Sequence, residues 1–205
     1  MSNNVDTLEF ILKRYDIPKG QKSPVQLQRS RWASLTKLFK ELNFTVGAEI
    51  GVERGRFSKI ICQNNPQLKL YVVDCWQTYE GYRDHVSQER LDEFYLETKT
   101  RLEPFNCHFI RDWSMNAVKM FADESLDFVF IDAGHDYEQV KEDIREWSKK
   151  VKIGGLVSGH DYIGKLHGIT YGVIQAVNEW VEEMGISPLF VFNKDSCPTW
   201  MYVKK

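Results

Sequence analysis

Val46–Ser58 reads V-G-A-E-I-G-V-E-R-G-R-F-S. It opens as a short apolar strand, turns through Gly51 and Gly55, and leaves as a helix. Gly47 lies inside the strand, and the acid Glu49 stands just before the turn. Glycine permits the left-handed backbone and the close approaches that such a turn requires. A strand–turn–helix of this kind at the front of an α/β sheet is where nucleotide-like ligands bind.

Outward from this stretch, apolar runs alternate with amphipathic segments. Arg56–Cys62 reads as a first crossover helix and Leu68–Val73 as a second strand ending at Asp74. Tyr79–Leu102 is long, charged and aromatic without a clean strand, so a helical insertion is expected over 77–104. Cys107–Ile110 reads as a strand, Asn116–Phe121 as a short helix, and Leu126–Ile131 as an apolar strand ending at Asp132. Tyr137–Lys150 places Val140, Ile144 and Trp147 on one helical face. Lys152–Gly155 reads as a turn, Leu156–Ser158 as a strand before His160 and Asp161, and Gly172–Met184 as a helix. Leu189–Asn193 and Thr199–Val203, joined by K-D-S-C-P, are expected to pair as an antiparallel hairpin.

This alternation predicts an α/β fold: a doubly wound, mostly parallel seven-stranded sheet closed by a C-terminal antiparallel hairpin. Before it, Leu8–Tyr15 and Val25–Leu42 carry apolar residues at helical spacing around the loop P-K-G-Q-K-S-P. Leu27, Trp32, Leu35, Leu38 and Phe39 fall on one such face. Residues 1–43 are therefore expected to form an N-terminal helical cap on a domain spanning 44–205.

The chain has 205 residues, enough for one sizeable α/β domain. Hydrophobic residues make up 42% and charged residues 27%, the balance of a soluble globular protein. A formal net charge of −2 argues against a non-specific nucleic-acid binder. No apolar run reaches the ~20 residues of a membrane span. The start M-S-N-N-V-D lacks the basic and apolar regions of a secretion signal, so a cytoplasmic location is expected. Cys62, Cys75, Cys107 and Cys197 are widely spaced and read as free thiols.

Ligands in such sheets sit beyond the carboxyl ends of the strands. Those ends are rich in polar residues here: Glu49, Asp74, Asp112, Asp132 with His135, and His160 with Asp161. A single acid there commonly caps a helix, but an acid after each successive apolar run exceeds what capping requires. Asp74 is placed to accept both hydroxyls of a ribose. His135, His160 and Asp161 also have plain readings as cap, core residue and loop cap. His85, His108 and His167 belong to no constellation. The aromatic run Trp76–Tyr82, with Phe94 and Tyr95, reads either as a stacking surface for a ring substrate or, preferably, as the buried face of the insertion.

A dinucleotide needs G-x-G-x-x-G so that amides can approach a pyrophosphate. Gly51-x-x-x-Gly55, crowded by Glu53, Arg54, Arg56 and Phe57, is a poor phosphate cradle. A sulfonium nucleoside carries no phosphate and suits a turn with acids nearby. Glu49-x-Gly51-x-x-x-Gly55 followed by Asp74 resembles the cofactor site of class I S-adenosylmethionine-dependent methyltransferases. L-D-F-V-F-I-D-A-G-H-D-Y (126–137), the following D-I-R-E-W, and V-K-I-G-G-L-V-S-G-H-D-Y (151–162) resemble the small group that includes macrolide-sugar O-methyltransferases. The resemblance runs from Val46 to the C-terminus.

The resemblance implies roles residue by residue. Glu49 and the Gly51 backbone would lie near the methionine portion of S-adenosylmethionine, with Gly55 completing the turn. Asp74 would hold the ribose, Asp112 and Trp113 would flank the adenine, and Asp132 would sit beside the methyl donor. Asp132 and Asp161 would be Mg²⁺ ligands and His135 the base, with His160 as the other histidine at the site. Glu53 stands where the family often has a third glycine, and Tyr162 follows Asp161 where catechol-type relatives have asparagine. The implied activity is methyl transfer to a hydroxyl of a small polyhydroxylated, sugar-like acceptor. The alternatives are a metal-independent methyltransferase on another nucleophile, with His135 or His160 as base, and a non-catalytic S-adenosylmethionine-binding module.

Overall fold

A computed structural model describes residues 6–78, 86–166 and 168–205. The chain opens with α1 (Thr7–Arg14), whose first turn is capped by the Asp6 carboxylate accepting from the Glu9 amide at 3.1 Å. A three-residue strand β1 (Val25–Leu27) follows. A π-helical turn over Arg31–Leu35 then runs straight into α2 (Thr36–Glu41). Next come β2 (Val46–Ile50), α3 (Arg56–Asn64), β3 (Lys69–Val73), α4 (Gln88–Leu102) and β4 (Cys107–Ile110). After α5 (Ser114–Ala117) and a 3-10 turn come β5 (Leu126–Ile131), α6 (Tyr137–Lys150) and β6 (Val151–Gly159). The small hairpin β7 (Lys165–Leu166) and β8 (Ile169–Thr170) precedes α7 (Val173–Glu183), β9 (Phe190–Phe192) and β10 (Thr199–Val203).

The main sheet has the order β1-β9-β10-β6-β5-β2-β3-β4. Only β10 runs against its neighbours; every other pairing is parallel. From β2 the chain winds outward through β3 to β4, then returns to the other side of β2 with β5. The order therefore reverses between β2 and β5, where a doubly wound sheet opens a crevice. Both faces are covered. Phe128 and Phe130 enter one core with Phe39, Phe57 and Ile61, while Val129 and Ile131 enter the other with Ile144 and Trp147. Burial on both faces is why β5 reads as a continuous apolar run.

Two expectations are corrected. Val25–Leu42 is not helical throughout: its first residues form β1, paired in parallel with β9, so the sheet has eight strands where the apolar runs predict seven. Val25 and Leu27 are buried and Gln26 is exposed, a period of two too short to stand out in the sequence. Helical spacing holds from Arg31 onward. Lys152–Gly155 is not a separate turn but the bulged first half of β6. Leu126 pairs with Val151 but Phe128 with Leu156, and Gly154 sits at φ +78° inside the bulge. The loop after Asp161 contains the β7–β8 hairpin. Within the expected insertion α4 is helical; residues 79–85, with Tyr79, Tyr82 and His85, lie outside the described residues, as does His167. All four cysteines are unbridged. Among the described residues no helix is long and apolar enough to cross a membrane.

Candidate functional site

A cavity of about 790 Å³ opens over the carboxyl ends of β2, β3 and β5. Its floor is the Gly51 turn. Gly51 has φ +82°, and a Cβ there would stand 2.0 Å from the Asp132 carbonyl oxygen. Only glycine allows the ends of β2 and β5 to meet so closely. Gly55 begins α3 at φ +65°, with Thr98 against its α-carbon.

Asp74 lines the cavity and also holds the turn together. Its Oδ2 accepts from the Val52 and Glu53 amides, both at 2.9 Å, and its Oδ1 from the Trp76 amide at 2.8 Å. Burial pushes its carboxyl up, against the pull of these amides. Glu53 adopts φ +50°, the left-handed region that accounts for the glycine expected there. Its carbonyl accepts from Trp76 Nε1 at 2.7 Å and Thr98 Oγ1 at 3.0 Å, and this bracing holds the non-glycine turn. Trp76 is thereby a buried brace, and with Phe94 it lines the cavity.

Glu49 is 2% exposed yet faces the cavity. Burial pushes its carboxyl up to about 8, although Ser58 Oγ donates to it at 2.5 Å and Arg31 pulls the other way. At the far end Asp112 Oδ1 accepts from the Trp113 amide at 2.7 Å and Asn116 Nδ2 at 3.0 Å. Trp113 is a partly exposed wall of the cavity. Beside it Asp143 accepts from Ser114, which accepts in turn from Trp147 Nε1 at 2.8 Å. Burial pushes Asp143 up to about 6. The sequence reading missed this buried acid. Its signal was D-I-R-E-W, where the acid and tryptophan share one face of α6.

Asp132, His135, His160 and Asp161 come together where β5 and β6 end. His135 Nε2 lies 2.8 Å from Asp161 Oδ2, while His160 Nδ1 lies 3.1 Å from Asp161 Oδ1 and 3.4 Å from Asp132 Oδ1. Asp132, His135 and Asp161 line the cavity; His160 does not. Burial works to raise Asp161, but the His135 hydrogen bond and the two imidazoles outweigh it and hold the carboxyl below its usual range. Burial, with Asp161 nearby, raises the thiol of Cys197 on the β9–β10 link, a neighbour no spacing pattern announces. Asp161 sits at φ +52°, a local cost of ~1–3 kcal/mol that points to a function for its placement.

One donor atom from each of Asp132, His135 and Asp161 falls within 4.8 Å of the others. Two carboxylates and an imidazole make a set that fits a divalent cation: the oxygens suit Mg²⁺, and the imidazole suits a transition metal.

Solved structures show the same architecture. An O-methyltransferase from Bacillus cereus, in complex with SAH, is 15% identical with a TM-score of 0.60, covering 100% of this chain and 93% of that one. The O-methyltransferase NovP is 19% identical with a TM-score of 0.58, covering 82% and 75%. The N-methyltransferase NodS from Bradyrhizobium japonicum is 14% identical with a TM-score of 0.55, covering 78% and 86%. At these identities the likeness is one of fold. Among curated proteins none matches the sequence. The family model described as "Methyltransferase domain" matches residues 48–162, which take in Glu49, the glycine turn, Asp74, Asp112, Asp132, His135 and Asp161. With more than half of its length matched, the chain belongs to the methyltransferase domain family.

Proposed function

We propose that the protein transfers a methyl group from S-adenosylmethionine to a hydroxyl of a small polyhydroxylated, sugar-like molecule, with His135 as general base. The observation that carries this is the meeting of Asp132, His135 and Asp161 in the same cavity as the Glu49–Gly55 turn. When bound, the cofactor supplies an electrophilic methyl group on a sulfonium sulfur. Glu49 and the Gly51 turn would hold its methionine end, Asp74 its ribose, and Asp112 with Trp113 its adenine. His135 would take the acceptor proton as the oxygen–carbon bond forms and the sulfur–methyl bond breaks. Asp161, 2.8 Å away, orients the imidazole and stabilises the imidazolium. His160 does not line the cavity; it holds the two carboxylates in place. Alignment in the cavity contributes more than the base, effective molarities of ~10⁵–10⁸ M against ~10²–10⁴-fold.

Asp132 and Asp161 would hold a divalent ion such as Mg²⁺, which when bound supplies Lewis acidity to the acceptor hydroxyl. The second reading, a metal-independent transferase, is favoured by the direct His135–Asp161 contact. In either case the segment before β2 contributes Arg31 and Trp32 to the cavity wall.

The test is turnover with a panel of sugars and catechols, read by release of the demethylated cofactor, with and without chelator. His135→Ala lowers kcat about 10²–10⁴-fold while cofactor affinity is kept. Loss of turnover on chelation, restored by Mg²⁺, selects the metal-assisted reading, and chelator-insensitive turnover the other. Binding of NAD⁺ in place of S-adenosylmethionine would sink both. Cofactor binding with biological activity unaffected by His135→Ala would make the protein a binding module.

A further inference from the structure

Arg31 stands out in the cavity wall. Its residue is 8% exposed, and among the described residues its Nε and Nη1 have no hydrogen-bond partner. The guanidinium lies 4.8 Å from the Trp32 ring centroid, 5.1 Å from that of Phe57 and 5.9 Å from that of Phe130. These ring faces attract a cation but offer no acceptor for its N–H groups. A buried guanidinium left without acceptors is costly, and an observed one calls for a partner. The residue is held firmly: its own amide donates to Asp195 Oδ2 at 2.8 Å, tying it to the β9–β10 link.

Among the buried acids that line the cavity, Glu49 is close enough for Arg31 to favour its ionised form. The hydrogen bond that Glu49 accepts comes from Ser58, not from Arg31. The cavity thus presents an acid and a base side by side, each with capacity to spare. That is the complement of a zwitterion: an ammonium for Glu49, a planar carboxylate for the guanidinium fork. The methionine end of S-adenosylmethionine is such an α-amino acid.

We propose that Arg31 binds the α-carboxylate of the cofactor's methionine end, with Glu49 taking the adjacent ammonium. This rests on the cofactor reading above, and it places an N-terminal residue outside the matched family segment in the cofactor site. The segment before β2 then forms the wall over the methionine end.

Calorimetry with three nucleosides tests it: S-adenosylhomocysteine, its decarboxylated analogue, and 5′-methylthioadenosine, which lacks the amino acid. Arg31→Gln is expected to weaken S-adenosylhomocysteine roughly 10- to 150-fold, the range for a hydrogen-bonded charge, and to leave the other two unchanged. Arg31→Lys, which keeps the charge without the fork, recovers part of the loss. It also serves alone if Arg31→Gln fails to fold, by narrowing the gap between the homocysteine and decarboxylated ligands. Equal weakening of all three nucleosides, or no weakening, overturns the assignment; an acidic acceptor as the partner of Arg31 gives the second result. A wild-type protein that binds none of the three overturns the cofactor reading itself.

Discussion

Glu49 is an acid where water cannot solvate it. Burial raises its pKa to about 8, with Asp132 and Cys107 adding to the rise and Ser58 and Arg31 opposing it. The folded value lies above the ordinary carboxylate value, so folding favours the protonated form. That contribution is whole below about pH 4.5 and is lost as pH climbs towards 8. Glu49→Gln keeps an acceptor for Ser58 and cannot ionise. Urea unfolding should show the two proteins nearly equal at pH 5, and the variant more stable at pH 8.5 by on the order of a few kcal/mol. A variant that loses stability in parallel with the wild type across that range would assign the pH dependence elsewhere. An acid held neutral also explains how a position only 2% exposed tolerates a carboxyl group.

At the scale of elements, the N-terminal segment is bound into the body of the fold. Phe39 of α2 stacks on Phe128 of the central strand β5, with centroids 3.8 Å apart and planes 13° from parallel. β1 covers the backbone edge of β9, an edge that would otherwise invite pairing with another chain. Phe39→Ala is expected to cost about 3–5 kcal/mol and to lower the single unfolding transition of the whole chain. A cap that melts by itself would instead leave a main transition unmoved, which calorimetry would reveal as two steps. The apolar face from Trp32 to Phe39 was legible because helical spacing is local. β1 was not, because three residues show no period and its partner β9 lies at the other end of the chain.

For the whole molecule, the reversal of strand order between β2 and β5 makes the crevice, and the crevice collects the polar strand ends. A ligand that binds only the folded state stabilises it by mass action. S-adenosylhomocysteine at about 100 times its Kd should add about 2.7 kcal/mol, raising Tm by roughly 5–10 °C for a chain of this size. NAD⁺ at the same concentration should leave Tm where it is. Scanning fluorimetry reads both, and a shift with NAD⁺ alone would contradict the glycine spacing from which the cofactor class was inferred.

The sequence by itself determined the turn at Gly51, the apolar runs of the parallel strands and the acids at their ends. These depend on local properties: the backbone freedom of glycine, burial on two faces, and the punctuation of a strand by a charged residue. Only the tertiary structure decided who faces whom. It put Asp161 beside His135 from two different strand ends, bound one oxygen of Asp74 to the turn amides and the other to Trp76, and added an eighth strand. It also left Nε and Nη1 of Arg31 buried among rings with no acceptor among the described residues. Such relations join residues far apart in the chain, and spacing along a sequence carries no record of which side chains a fold will turn towards one another.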